Sequence, residues 1–266
     1  MISYPLWKRN MVSCFKIFLL LLAVLSMYTI VIIYMYNPEL ADMLNDYQKA
    51  LPGMMSAVGM TGIAGSLLEW AQIYLYGFLM ILFPLIFTVI IVQKMVMSYI
   101  DKGSMANLLA TGNTRGKIIR TQAFSVVLMM ILLMGSISVV GVAGCEILFP
   151  GELDIKSYLY LNGSMLLMQL AVAGIVFLAA CTLSEVKQYY MVGAGIPILF
   201  FLMQMLANMG DKLKNLKYLT IYTLFPAEKI VSGAGSYWQN NLILLLIAAI
   251  LFVCGMVFFK KRDLFL

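Results

Sequence analysis

A chain of 266 residues that is 63% hydrophobic and 11% charged, with a formal net charge of +6, has more apolar surface than a water-soluble fold can cover, since soluble domains run near roughly 45–50% apolar and about 25% charged. This composition excludes a soluble globular domain and predicts an all-α integral membrane protein. With no histidine and only 4 cysteines, scattered singly as Cys14, Cys145, Cys181 and Cys254, no zinc site is expected and the commonest general base is missing.

A helix crossing about 30 Å of hydrocarbon needs about 20 apolar residues, because every backbone amide must be satisfied within the segment. Six stretches meet this requirement, and none contains Asp, Glu, Lys or Arg. The first runs from Ile17 to Tyr36. Lys8, Arg9 and Lys16 precede it as in a secretory signal, but its apolar run is longer than an h-region and Tyr34-Met35-Tyr36-Asn37 is no cleavage site, so a retained helix is expected. A long loop from Asn37 to Ile73 follows, with a short helix expected over Pro38–Ala50, then Pro52-Gly53 and a Met/Gly-rich stretch.

The second span covers Tyr74–Val92 and contains Pro84, which removes one backbone hydrogen bond and predicts a kink. In the loop Gln93–Gln122, Ser104 is placed to cap a short helix between Gly103 and Gly112. Met105, Leu108 and Leu109 share one face of it at i, i+3 and i+4. The third span, Ala123–Gly144, and the fourth, Tyr158–Leu183, are joined by a short turn over Cys145–Ser157. Another short turn, Ser184–Gln188, leads to the fifth span, Tyr189–Met209, with Pro197 inside it. These short turns predict antiparallel neighbours. In the loop Gly210–Asn241, Leu213, Leu216 and Thr220 recur at helical spacing, so an interfacial helix with snorkelling lysines is expected. The sixth span is Leu242–Phe259. Trp7, Trp70 and Trp238 fall at span edges, as an aromatic belt requires, and Glu69 and Glu146 fall there as solvated interfacial groups.

Lys and Arg set the orientation. With the N-terminus inside, twelve of the 18 basic residues are cytoplasmic: Lys8, Arg9, Lys16, Lys94, Lys102, Arg115, Lys117, Arg120, Lys187, Lys260, Lys261 and Arg262. Both termini are therefore expected in the cytoplasm, and this basic excess is read as membrane topology, with no nucleic-acid partner. No G-x-S-x-G, H-E-x-x-H or Walker-type G-x-x-x-x-G-K-[ST] run occurs, and no carboxylate lies mid-membrane for ion coupling. A pump built from this chain would draw its energy from a partner.

Three segments carry a resemblance. Asp101-Lys102-Gly103-Ser104-Met105-Ala106-Asn107-Leu108-Leu109 with Arg115, then Leu219-Thr220-Ile221-Tyr222-Thr223-Leu224-Phe225-Pro226, and the closing Lys260-Lys261-Arg262-Asp263-Leu264 resemble, in order, the permease subunits of bacterial type 2 ABC exporters. Ser104 stands where that family usually has Thr, and Gly112 where Pro is common. The resemblance implies one permease domain over residues 1–266, with an N-terminal interfacial elbow helix (residues 1–16) and a cytoplasmic coupling loop (101–115). ATP and Mg would sit in a separate ATPase subunit, and a second permease, identical or related, would complete the assembly in the bacterial cell membrane. Carried over onto this chain, the ATPase contact comprises Asp101, Lys102, Gly103, Ser104, Met105, Leu108, Leu109, Arg115 and Glu185, with Met105, Leu108 and Leu109 as the inserted face.

The expected function is an export pathway with no enzymatic activity and no cofactor in this chain. A different class remains open: a membrane-embedded regulatory, sensing or immunity subunit using the same ATPase contact without moving a solute. An intramembrane enzyme is disfavoured, because no paired nucleophile and base are found within the spans.

Overall fold

The computed structural model describes residues 2–37, 43–44, 46, 64–101, 103–110, 112–209, 211–233 and 238–262. Most of the expected helix over 38–50, the Met/Gly-rich stretch after it, Lys102 and residues 263–266 lie outside the described residues. Among those described, the chain is helical without strands, and six helices are long and apolar enough to cross a membrane: Tyr4–Tyr34, Leu79–Asp101, Arg115–Leu148, Ile155–Thr182, Val186–Asn208 and Trp238–Lys261. The described residues form a six-helix, multi-pass membrane architecture.

The first crossing, α1 (Tyr4–Tyr34), differs from the expected division into an elbow and a span. It is one helix of 31 residues. Pro5 stands in its first turn, where a missing N–H costs nothing, and no glycine or further proline interrupts the run. Its start is tied to the third crossing. The Ser3 amide donates to Thr121 Oγ1 at 2.9 Å, and Asn10 Nδ2 donates to Ser125 Oγ at 3.1 Å and to Gln122 Oε1. Side-chain bonds of this kind hold helices together where lipid supplies no hydrophobic drive.

The second crossing is assembled from pieces. α2 (Leu67–Tyr76) begins earlier than hydropathy suggests, because Ser66 and Glu69 form its start. Ser66 Oγ accepts the Glu69 amide at 3.3 Å, and Glu69 Oε2 accepts the Gly65 amide at 2.7 Å. This is a near relative of the capping box. The helix breaks at Gly77-Phe78 and resumes as α3 (Leu79–Val92), followed by a π turn over Gln93–Met97 and α4 (Ser98–Asp101). Pro84 lies inside α3, as expected. The Met80 carbonyl, four residues before it, is taken up by Gln169 Nε2 at 2.8 Å, and the same amide reaches Ile81 O at 3.1 Å.

After the short α5 (Met105–Ala110), α6 (Arg115–Leu148) is capped by Thr114 and α7 (Ile155–Thr182) by Asp154. The fifth crossing consists of α8 (Val186–Tyr189), a π turn over Tyr190–Ala194 and α9 (Gly195–Asn208). Pro197 falls in the first turn of α9. The Tyr189 hydroxyl, just before this second π turn, donates to Val89 O at 2.7 Å beside the first one. Two 3₁₀ segments (Asp211–Leu219 and Ile221–Leu224), α10 (Ala227–Val231) and the last crossing, α11 (Trp238–Lys261), complete the described chain.

The fourth crossing is the centre of the bundle: 72% of its most apolar stretch is buried, against 22% for the first and fifth crossings. It packs most closely on α11, and glycines make the approach possible. A Cβ on Gly174 would meet Leu251 Cβ at 2.8 Å, and one on Gly255 would meet Phe177 Cδ1 at 3.0 Å. Small residues at such crossings let backbones approach. Trp70 departs from the aromatic-belt expectation. It is 2% exposed, and its Nε1 donates to Ile32 O at 2.8 Å, so its ring closes the junction of α1 and α2 instead of facing headgroups. Trp238 is exposed at the start of α11, as a belt residue is.

Candidate functional site at the end of the bundle that carries both termini

Ser3 meets Thr121, and Arg115 meets Arg262 (Arg115 Nη1 to Arg262 O, 2.9 Å), so the beginning and the end of the described chain share one end of the bundle. The connections over 101–115 and 183–186 lie there too. Asp101 closes the second crossing, and its Oδ1 accepts the amide of Val186, the first residue of the fifth crossing, at 3.5 Å. A carboxylate at a helix N-terminus is favoured by the unsatisfied amides and the helix dipole. The structure thereby brings together Asp101 and Glu185, two residues 84 positions apart in sequence whose side chains are both exposed.

Between Gly103 and Gly112, at φ +63° and +75°, lies α5. Both glycines hold left-handed backbone that other residues adopt at a cost, which fixes where this short helix starts and stops. Its apolar face is not presented outward. Met105 is 3% exposed, and Leu108 and Leu109 are half-buried, packed against the chain's own core. Among its described residues, this segment offers Gly103, Ala110 and Gly112 to solvent, with Ser104 half-exposed.

Arg262 was legible in the sequence only as part of a closing basic cluster, yet it organises this end. Its Nη1 donates to Leu183 O at 2.7 Å and Cys181 O at 3.4 Å, and its Nη2 donates to Ser184 Oγ. These carbonyls belong to the last turn of α7, which has no helical donors of its own. Partial burial lowers the Arg262 guanidinium from its ordinary value by desolvation, but guanidinium starts so high that it stays a cation at neutral pH. Arg115, expected as a contact residue, also donates one N–H to the Arg262 carbonyl. Arg9 lies over the Tyr99 ring at 5.6 Å and joins α1 to α4.

The opposite end holds a cavity of about 430 Å³, walled in part by Gln72, Tyr76, Ile81, Gln204, Asn208 and Thr223. Gln204 Oε1 accepts hydroxyls from Thr220 at 2.7 Å and Thr223 at 2.9 Å, which seats the 3₁₀ segments on the fifth crossing. Thr220, grouped by helical spacing with Leu213 and Leu216 in the expected interfacial helix, is therefore buried in this knot, whereas Leu213 is exposed. The Tyr222 hydroxyl, which donates to Pro197 O at 3.3 Å, has its pKa raised by burial.

Among the described residues, no group of three His, Cys, Asp or Glu is placed to hold a metal ion. No family model matches the chain, and no curated protein matches it.

Proposed function

We propose that this chain is the membrane-spanning permease subunit of a type 2 ABC exporter in a bacterial cell membrane, with both termini in the cytoplasm. A separate ABC ATPase, holding ATP and Mg, drives it, and a second permease subunit completes the pathway. The observation that carries this reading is the bond from Val186 to Asp101. It joins the loop between the second and third crossings to the turn between the fourth and fifth, at the end where most of the basic residues gather. A partner pressing on that surface would move the ends of four crossings together.

The contact surface in this proposal comprises Asp101, Lys102, Gly103, Ser104, Ala110 and Glu185, with the exposed edges of Leu108 and Leu109. Met105 and Arg115 support it from within. A polar cavity at the other end also suits a regulatory or immunity subunit that binds a ligand there without passing it through. Vesicles reconstituted with the chain and its ATPase separate the two. ATP-dependent movement of solute between compartments is expected for the exporter, ATP-dependent ligand release without movement for the regulator. ATP hydrolysis by the chain alone would defeat both.

A further inference from the structure

The buried polar atoms of the fourth crossing form a pattern that its apolar composition hides. Tyr158, Asn162, Met165 and Gln169 follow one another at helical spacing on a single face, and each is at most 4% exposed. Gln169 Oε1 has no hydrogen-bond partner among the described residues, and Tyr158 Oη and Asn162 Oδ1 have none beyond a loose cluster that they form with Tyr76 Oη across from them. Buried polar atoms in folded proteins nearly always find a partner, whether protein, water or ligand, and in hydrocarbon the need is greater.

This seam meets the cavity opposite the termini at two points. Tyr76 walls the cavity and lies edge-on to Tyr158, with ring centroids 6.4 Å apart. Ile81 also walls the cavity, and its carbonyl accepts Gln169 Nε2 at 3.1 Å. The charged residues among those that wall the cavity are Glu228 and Lys229, which are exposed, and Lys217, which is half-buried. Further in, the polar side chains are hydroxyls and amides.

We propose that the cavity and the seam behind it form one site for a neutral, hydrogen-bonding group, such as a hydroxyl or amide of a ligand with its water, which enters from the end opposite the termini and reaches the bilayer interior within a single chain. Gln169 Oε1 supplies an unfilled acceptor, the mutually turned Tyr76, Tyr158 and Asn162 supply exchangeable donors and acceptors, and the absence of a charged side chain along the seam leaves an ion without a counter-charge. The route lies among the second, third and fourth crossings of one subunit, with Tyr158 Oη resting against Gly141, so it needs no second copy. It goes beyond the proposed permease role and is read on the chain alone, so its failure is separable from a failure of ATPase coupling.

The test uses the full chain in lipid nanodiscs, with Cys14, Cys145, Cys181 and Cys254 replaced by Ala and single cysteines placed in turn. Neutral hydroxyethyl methanethiosulfonate and its anionic sulfonatoethyl counterpart are the probes. Thiols react as thiolates, which form only where water reaches. Gln72→Cys on the cavity wall should react with both. Met165→Cys within the seam should react with the neutral reagent at least about tenfold faster than Val172→Cys, one step beyond Gln169 on the same face, and should discriminate against the anion. Tyr158→Cys, in the seam itself, gives the same reading if the Met165 variant does not fold. Equal rates at Met165→Cys and Val172→Cys would show a sealed seam and overturn the proposal. Equal reaction with the anion would overturn the neutral specificity.

Discussion

Gln169, on the fourth crossing, answers for Pro84, on the second: its side-chain amide lies 2.8 Å from the Met80 carbonyl, the acceptor whose helical donor the Pro84 ring removes. In hydrocarbon this carbonyl would otherwise be orphaned. Gln169→Leu should therefore destabilise the bundle by about 1–3 kcal/mol, the range for leaving a buried group unmade. Pro84→Ala restores an N–H at that position and should recover part of the loss in the double variant. Unfolding titrations in mixed micelles measure both. Strictly additive effects of the two substitutions would show that the residues are not coupled.

Arg262 closes the last turn of α7 through two carbonyls and one hydroxyl, a fork that lysine cannot reproduce. Arg262→Lys and Arg262→Ala should both loosen this turn, with little difference between them. Cys181, fully buried beside it, is the reporter. Its alkylation should accelerate by at least about tenfold, equivalent to about 1.4 kcal/mol of easier opening, while Cys14 in α1 remains protected. Unchanged Cys181 protection in both variants would mean that the turn is held by other contacts.

Gly174 faces Leu251 with no room for a methyl group, since a Cβ there would lie 2.8 Å from Leu251 Cβ. Gly174→Ala should cost about 1–3 kcal/mol through overpacking. Leu251→Ala in the same chain keeps the contacted Cβ and removes only the branch at 3.3 Å, so relief should be partial. Gly135, where nothing lies within 4 Å of a built Cβ, is the matching control, and Gly135→Ala should be neutral or slightly stabilising.

Asp154 caps α7 by accepting the Lys156 and Ser157 amides at 3.1 and 3.3 Å. The Ser157 hydroxyl and amide, ahead of the smaller contributions from Lys156, hold its carboxyl below the ordinary value. Because the folded pKa is the lower one, the cap's contribution is fully present above about pH 4, the unfolded value. It is lost as pH falls through the folded pKa. Thermal unfolding between pH 6 and pH 3 should show this loss. In Asp154→Asn, which caps without titrating, that part of the acid sensitivity should be absent.

Much of this fold was legible from hydropathy alone, because lipid leaves a spanning helix little choice: all six crossings overlap the apolar stretches. Their ends were less legible. α2 starts at Leu67 because Ser66 and Glu69 cap it, and the apolar average begins only at Tyr74. The run Tyr4–Lys16 joins the first crossing because Ser3 and Asn10 bond to Thr121, Gln122 and Ser125, a pairing that linear sequence does not display. Neither π turn has a residue signature, since helix register is settled by packing partners such as Tyr189 on Val89. At the candidate site, spacing identified the face of Met105, Leu108 and Leu109. It could not say whether that face turns to the chain's own core or to a partner. Gln169 carried a usable signal: a buried-span amide in one apolar stretch, with a lone proline inside another.

The proposed docking surface around Asp101 is tested most directly by a photo-reactive side chain at Ala110, which is exposed on α5 and outside the packed face. Irradiated in cells and analysed by mass spectrometry, this position should yield an adduct with a nucleotide-binding subunit that carries the G-x-x-x-x-G-K-[ST] loop this chain lacks. Adducts only with lipid, or only with proteins that have no nucleotide site, would contradict the permease role and the contact surface together.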